Sequence, residues 1–300
     1  MGQVWVVGEV LIDLIREGAD RKPIVGGGPA NTAKALAKLG VNTQLIDGIS
    51  FDEYGQKAKG ELVRAGVKLD FVKYSDKPTC LAIVSLSDSG SATYEFIIDS
   101  TATFDFTLEW LPNPETDRPL LLHIGTLATV IEPGASVLFH WAKSVAKIAP
   151  IVFDPNIRPA VVSDRAQYVA QVERWVEISS IVKVSDEDIK WLYPSLEIDQ
   201  VVNSWLKKGS SLIVVTYGDE GLAGYREGEE VIVEAVKVKV ADTVGAGDTV
   251  GAILVEAVVK DGLDNLTGAR LETMLKRAAK AAAITVSRVG ANPPTSEDLE

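Results

Sequence analysis

Short apolar runs alternate with longer amphipathic stretches along most of the chain. Residues 3–7, 43–46, 120–124, 151–153, 181–184 and 212–216 are brief runs dominated by Val, Ile and Leu. Such runs predict strands buried on both faces. Between them, residues 29–39, 133–147, 165–178, 186–192 and 200–207 carry helical spacing, and two further helices are predicted over 246–260 and 271–288. Strand–helix alternation of this kind predicts a mostly parallel sheet with helices on both sides. Residues 235–240 also read as strand-like, leading into the Gly245-Ala246-Gly247 turn.

Two regions depart from that pattern. Between 79 and 98 the runs CLAIVSLS and SATYEFII flank Asp88-Ser89-Gly90, a hairpin signal with alternating polarity. Cys80, Ala82, Val84 and Leu86 fall on one face, and Leu81, Ile83 and Ser85 on the other. Residues 10–15 read as another strand, placing Leu11, Asp13 and Ile15 together. These pieces, about 10–25 and 73–103, predict a small antiparallel β lid beside the main sheet. A ligand would then occupy the crevice at the carboxyl ends of the parallel strands.

Composition narrows the choices. Lys and Arg number 30 against 42 Asp and Glu, so the net charge is −12, which disfavours a nucleic-acid partner bound through its phosphates. The six tryptophans are dispersed and form no stacking platform. One cysteine, Cys80, excludes a disulfide framework, and two histidines, His123 and His140, make a multi-histidine metal centre unexpected. His123 is expected as a satisfied buried side chain and His140 as a helix residue. With no apolar run long enough to span a bilayer and no basic leader, the expectation is a cytoplasmic protein without a membrane partner.

The sharpest local motif is DTVGAGDTVGAILV, residues 242–255. Gly245 and Gly247 let the backbone turn sharply and approach a ligand, and the N–H groups opening the next helix form an anion site. Asp248 stands in that first turn, where it either caps the helix or takes a proton from a hydroxyl attacking a bound phosphate. A second cluster, GGGPAN at 26–31, places Asn31 at a helix start. Asp13, alone among the apolar residues of VLIDLI, suits two adjacent sugar hydroxyls. Arg158 in DPNIR offers a planar fork for phosphate or carboxylate, with Asn156 beside it. Lys183 follows a strand, within reach of phosphate, where a lysine is ordinarily solvated. No GxxxxGK[ST] occurs, which excludes a Walker P-loop, and no GxGxxG follows the first strand, which removes support for a dinucleotide-dependent dehydrogenase.

GGGPANTAKALAKLG and DTVGAGD, in this order, resemble the two signature stretches of the ribokinase-like, or PfkB, carbohydrate kinases. The likeness runs through GEVLIDLI, DGISFDEYG, KPTCLAIVSLSDSGSATYEF, LHIGT, DPNIRP, KVSDEDIKWL and VVTYGDEGL, and so covers nearly the whole chain. It implies one three-layer α/β/α domain over residues 1–300 and a kinase using ATP and Mg2+. The resemblance makes Asp248 the base, with Gly245, Ala246 and Gly247 as the anion hole and Arg158 at the transferred phosphate. It places Asp13, Gly27, Gly28, Asn31, Asn156, Arg158 and Asp248 around the sugar, with Tyr94 and Phe96 reaching in from the lid. Lys183, Ser185, Thr216, Gly218, Gly221, Gly245, Ala246, Gly247 and Asn292 fall to ATP. The family's Mg-associated segment usually reads Asn-x-x-Glu; here Ser185 and Asp188 match it, with Glu187 competing for the ion through water. Asp242, Val244 and Ser287 are the positions for a monovalent cation such as K+.

GEVLID, SLSDSG and DPNIRP favour the fructokinase branch and hence fructose. Phe96-Ile97-Ile98 departs from it, standing where many fructokinases carry two aromatics and an arginine. A 2-keto-3-deoxygluconate kinase, another sugar or nucleoside kinase, and a binding paralogue without turnover therefore stay open. Many family members dimerise through their lids, and the apolar alternation of this lid carries the same expectation.

Overall fold

A computed structural model describes residues 2–17, 20–86 and 92–300. The chain begins with β1 (Val4–Val7), β2 (Leu11–Glu17), β3 (Asp20–Gly26), α1 (Gly28–Lys38), β4 (Thr43–Ile46), β5 (Gly48–Ser50) and α2 (Glu53–Arg64). There follow β6 (Lys73–Ser75), β7 (Leu81–Leu86), β8 (Ala92–Ile97), α3 (Pro114–Asp117), β9 (Leu121–Gly125), α4 (Gly134–Val145) and β10 (Ile151–Asp154). The second half adds α5 (Arg165–Val176), β11 (Ile181–Ser185), α6 (Asp186–Leu192), α7 (Ile198–Lys207) and β12 (Leu212–Thr216). It closes with β13 (Gly221–Arg226), β14 (Glu229–Glu234), α8 (Ala246–Asp261) and α9 (Gly268–Val286).

The main sheet runs β14-β13-β12-β11-β10-β9-β1-β4. From β12 to β4 every pairing is parallel, and β13 and β14 add an antiparallel edge. Val4, Val6, Leu121, Val152, Ile181 and Val214 point into a core shared with α1, α2, α8 and α9. Trp5, Val7, Leu122, Ile124, Phe153 and Val182 point into a second core, with α4, α5, α6 and α7. The three layers are thus written in the alternation of each buried strand. Chain order reverses direction between β1 and β9, and in sheets of this kind the crevice at such a switch point takes the ligand.

The small sheet is ordered β3-β2-β7-β8. Its outer pairs are antiparallel as expected, while the central pair, β2 with β7, is parallel. The expected hairpin is β7 with β8; its turn Asp88-Ser89-Gly90 and the side chains of Val84, Ser85, Leu86 and Tyr94 lie outside the described residues. Cys80 and Ala82 are buried against the second core, and burial pushes the Cys80 thiol upward, so it stays protonated. Leu81 and Ile83, on the opposite face, are half-buried.

Residues 235–240 form no strand. They lie beyond the edge strand β14 and have no neighbour to pair with, so Val236, Val238 and Val240 remain exposed. Five strands escaped the sequence reading: β3, whose charged start DRKP hides the pattern, the three-residue pair β5 and β6, and the glycine- and glutamate-rich pair β13 and β14. Among the described residues no helix is long and apolar enough to cross a membrane.

Trp5 ties the second core to the linker after α2. It is fully buried, stacks on Trp141 at 5.8 Å and meets Phe71 edge-on at 5.7 Å. Trp5→Ala is expected to destabilise the fold by about 3–5 kcal/mol, read from chemical denaturation.

Candidate active site

The strands β1, β9, β10, β11 and β12 end side by side, and the residues just beyond them face the starts of α1 and α8. Gly28, first residue of α1, marks where these segments meet. A Cβ at Gly28 would stand 2.9 Å from Thr126 Cγ2, 3.0 Å from Asn156 Nδ2 and 3.2 Å from Asp248 Oδ1. Only glycine leaves room for that convergence. Thr126 and Asn156 themselves take positive φ, 56° and 40°, a costly conformation for non-glycine residues that is characteristic of sites.

Asp248 does not cap its own helix. The N-cap of α8 is Gly245, at φ 81°, and a Cβ there would meet the Ala291 Cβ at 2.8 Å. The Asp248 carboxylate is instead held across the molecule: Asn31 Nδ2 donates to its Oδ2 at 2.9 Å, and Thr32 Oγ1 donates to its backbone oxygen at 3.4 Å. Burial pushes Asp248 up to about 6, against the downward pull of Asn31, Lys183 and Arg158. The Asn31 Oδ1, buried, has no hydrogen-bond partner and is free to accept a ligand hydroxyl.

Lys183 is not the solvated strand-end lysine of the sequence reading. It is buried and pairs with Asp154 Oδ2 at 2.9 Å. Burial works to lower its basicity, but the Asp154 carboxylate outweighs this and the net shift is upward, so it stays charged. Its Nζ lies 2.8 Å from where a Gly247 Cβ would stand, which brings an ammonium onto the N–H groups that open α8.

Asp13, on β2, is pushed up to about 6 by burial while Arg158 and Lys34 draw it down. Its Oδ2 lies 2.1 Å from the position of a Gly26 Cβ, so glycine is required opposite it. Arg158 turns back on its own loop, donating from Nη1 to Asn156 Oδ1 at 2.7 Å and to the Ile157 carbonyl at 3.0 Å. Its charge acts on Glu9, Asp13, Asp188 and Asp248 alike. Phe96 is half-buried against the second core, at the lid's side of the crevice.

Glu9 and Thr126 were missed by sequence reading. Glu9 is buried beside Gly27, accepts from Thr126 Oγ1, and is pushed up to about 7 by that burial. The only signal was an acid following glycine at the end of β1, in GEVLID. His123 is buried and electrically neutral, burial holding it down at about 4; neither ring nitrogen has a partner, contrary to expectation. His140 is exposed on α4.

A cleft of about 1050 Å3 extends from Asn156, Arg158 and Lys183 past Thr216, Gly218 and Gly221. Ala246 and Gly247 line it, as do the exposed valines of 236–240 and the α9 face Ala279, Ala282, Ala283 and Val286. It has a charged end and an apolar end. Ser185, Glu187 and Asp188 stand at the charged end. Ser185 is the N-cap of α6, its Oγ accepting from Asp188 N at 3.0 Å. Asp188 Oδ1 accepts from Ile157 N at 3.1 Å, which leaves its second oxygen; Glu187 is exposed.

Some expected site residues lie elsewhere. Asn292 does not line the cleft: its Oδ1 accepts from Lys38 Nζ at 2.9 Å on the far side of the 289–293 loop. Asp242 accepts from Val244 N at 3.0 Å and Gly290 N at 2.8 Å, knotting two loops behind the α8 turn. Ser287 Oγ donates to its own helix, and the Val244 side chain is exposed. Among the described residues no three His, Cys, Asp or Glu side chains gather as a metal site.

A buried carboxylate held against a helix-opening glycine turn, a second, half-buried acid and a cleft with a charged and an apolar end are the features that a small-molecule phosphotransferase needs. The chain belongs to the pfkB family carbohydrate kinases, whose family profile matches residues 1–298. It is accordingly a sugar kinase, acting on a sugar hydroxyl. It is similar to the fructokinase of Rhizobium leguminosarum bv. trifolii, 34% identical over 261 residues that cover 85% of this chain and 79% of that one. Its fold resembles that of the Xylella fastidiosa fructokinase with bound ATP, at TM-score 0.92 and 22% identity over 99% of this chain and 96% of the other. A double mutant of the Vibrio cholerae O395 fructokinase, in a form with fructose, ADP and potassium ion bound, matches at TM-score 0.88 and 25% identity, covering 100% and 97% of the two chains.

Asp248→Asn should keep the fold and sugar binding while turnover falls about 10²–10⁴-fold. In the unsubstituted protein turnover should fall as pH drops through about 6, because the raised Asp248 carboxyl takes up its proton there and ceases to be a base. A pH–rate profile flat to well below that value would remove Asp248 from this role.

Proposed function

We propose that the protein is a fructokinase, moving the γ-phosphoryl of ATP to a hydroxyl of fructose. The observation that carries this reading is the Asp248 carboxylate, clamped by Asn31 at 2.9 Å beside the turn Gly245-Ala246-Gly247. Asp13, the unpartnered Asn31 Oδ1 and Asn156 surround the space in front of Asp248 and suit a polyol. The acceptor hydroxyl would lie against Asp248, which orients it and receives its proton as the bond to phosphorus forms. Phosphate charge would be met by the α8 N–H groups, Lys183 and Arg158. The exposed valines of 236–240 and the α9 alanines would take the adenine, and the Thr216–Gly221 turn the ribose and phosphates.

A magnesium ion fits the free oxygen of Asp188 and the Glu187 carboxylate, both lining the cleft. With so few protein ligands the ion would be held mainly by phosphates and water, as Mg2+ commonly is. Bound there, it would supply charge neutralisation to the phosphates. A monovalent cation would rest on carbonyl oxygens around Asp242, Val244 and Ser287, since the Asp242 carboxylate already accepts from two N–H groups.

The name fructokinase attached to relatives at 34% and 29% identity supports fructose over other sugars. A coupled ADP-release assay across fructose, ribose, 2-keto-3-deoxygluconate and nucleosides, with and without potassium, tests it. Fructose should give the highest kcat/KM; sugar binding with no ADP release from any of them would favour the binding paralogue. The protein would work in the reducing cytoplasm as a homodimer. The half-buried Leu81 and Ile83 and the exposed Ile97 support pairing through the small sheet. Light scattering at micromolar concentration should give twice the 32.2 kDa chain mass.

A further inference from the structure

We propose that a second cavity, separate from the reaction cleft, binds a small phosphate monoester. It measures about 420 Å3 and lies where α1, α2, the end of β3 and the 289–293 loop meet. It shares no lining residue with the reaction cleft.

Charge sets this cavity apart. In a protein of net charge −12 it is lined by Lys34, Lys38 and Arg64 against a single acid, Glu61. Lys34 and Glu61 pair at 2.7 Å and offset each other. Lys38 is held only by neutral oxygens, Asn292 Oδ1 at 2.9 Å and the Pro293 carbonyl at 3.2 Å. Arg64 is exposed, and no described carboxylate forms an ion pair with it. Two cations therefore face one cavity without a carboxylate in ion-pair contact. Burial and the neighbouring Arg288 and Lys34 cations push Lys38 downward, outweighing the weaker pull of the Asp298 and Glu61 carboxylates, a cost that a bound anion relieves.

The remaining walls describe the rest of the ligand. Ile24, Val25 and Val289 are apolar, and Glu61 presents carboxylate oxygens to hydroxyl donors. The volume falls within the range of small-molecule sites, on the order of 300–1,000 Å3. A phosphorylated polyol matches this set: phosphate to Lys38 and Arg64, hydroxyls to Glu61, carbon skeleton on the aliphatic wall. An unphosphorylated sugar would leave both cations unmet.

The cavity touches the support of the reaction site. Its wall residue Ala291 lies against Gly245, the N-cap of the anion-binding helix, and Gly290 N donates to Asp242 at 2.8 Å. Lys34 and Lys38 extend the helix that carries Asn31. An occupant would thus bear on both helix starts that meet at Asp248, which makes it an effector rather than a substrate.

The test is isothermal titration of the full chain with glucose 6-phosphate, using glucose as control and saturating ADP to fill the nucleotide cleft. Saturable binding that persists with ADP and weakens at least tenfold in Arg64→Glu is the expected result. Arg64 is exposed and outside the catalytic machinery, so without the ester the variant should turn over within twofold of the unsubstituted enzyme. No saturable heat, displacement by ADP, equal binding of glucose, or unchanged affinity in Arg64→Glu would each overturn the proposal.

Discussion

One hydrogen bond, from Asn31 to the Asp248 carboxylate, joins the two glycine-rich turns that organise this protein. Each turn opens a helix, and the helices lie on the same face of the sheet, with α1 and α8 sharing one core. The bond is worth what it is because its acceptor is buried: a carboxylate withdrawn from water needs a donor, and the amide supplies one. It also fixes Asn31 so that its other end is a buried oxygen without a partner. Orientation, desolvation and a vacant acceptor all follow from that single contact.

Around it the site sets charges against one another at short range. Lys183 and Asp154 form a buried pair below the anion-binding turn, and Arg158 moderates four carboxylates without forming a close ion pair with any of them. An overall charge of −12 therefore coexists with a local gathering of two cations and helix-opening N–H groups. Long-range repulsion acts on approaching nucleotide, while N–H groups and two cations decide what happens on contact. Burial drives Glu9, Asp13, Asp188 and Asp248 upward, toward the protonated form, and the Arg158 charge opposes it at each.

The central strands were legible because each is a short, nearly pure apolar run: residues 43–46 and 212–216 coincide with β4 and β12. The lid strand β3 and the antiparallel pair β13 and β14 were not: β3 and β14 are largely exposed and rich in charge, and β13, though buried, is broken by Gly221 and Gly224. Residues 235–240 erred in the opposite direction: alternating valines mimic a strand, yet an edge without a neighbour offers nothing to pair with. In the site, Asp13, Asn31, Lys183 and Asp248 stood out through glycine neighbours or isolation among apolar residues. Glu9 and Thr126 each follow a glycine and His123 lies in an apolar run, yet their roles were not legible there, because their character arises only from what folds around them. Asn292 shows the converse, a polar residue beside a glycine whose loop turns it away from the cleft and toward Lys38.

The Asn31–Asp248 contact spans 217 residues of chain. During synthesis the amide leaves the ribosome long before the acid it must hold, and α9, which flanks α8, emerges later still. A chain that stops short of Asp248 cannot form this contact, and leaves the Asn31 amide without its acceptor. The site's two halves therefore meet only once α8, near the end of the chain, has been made.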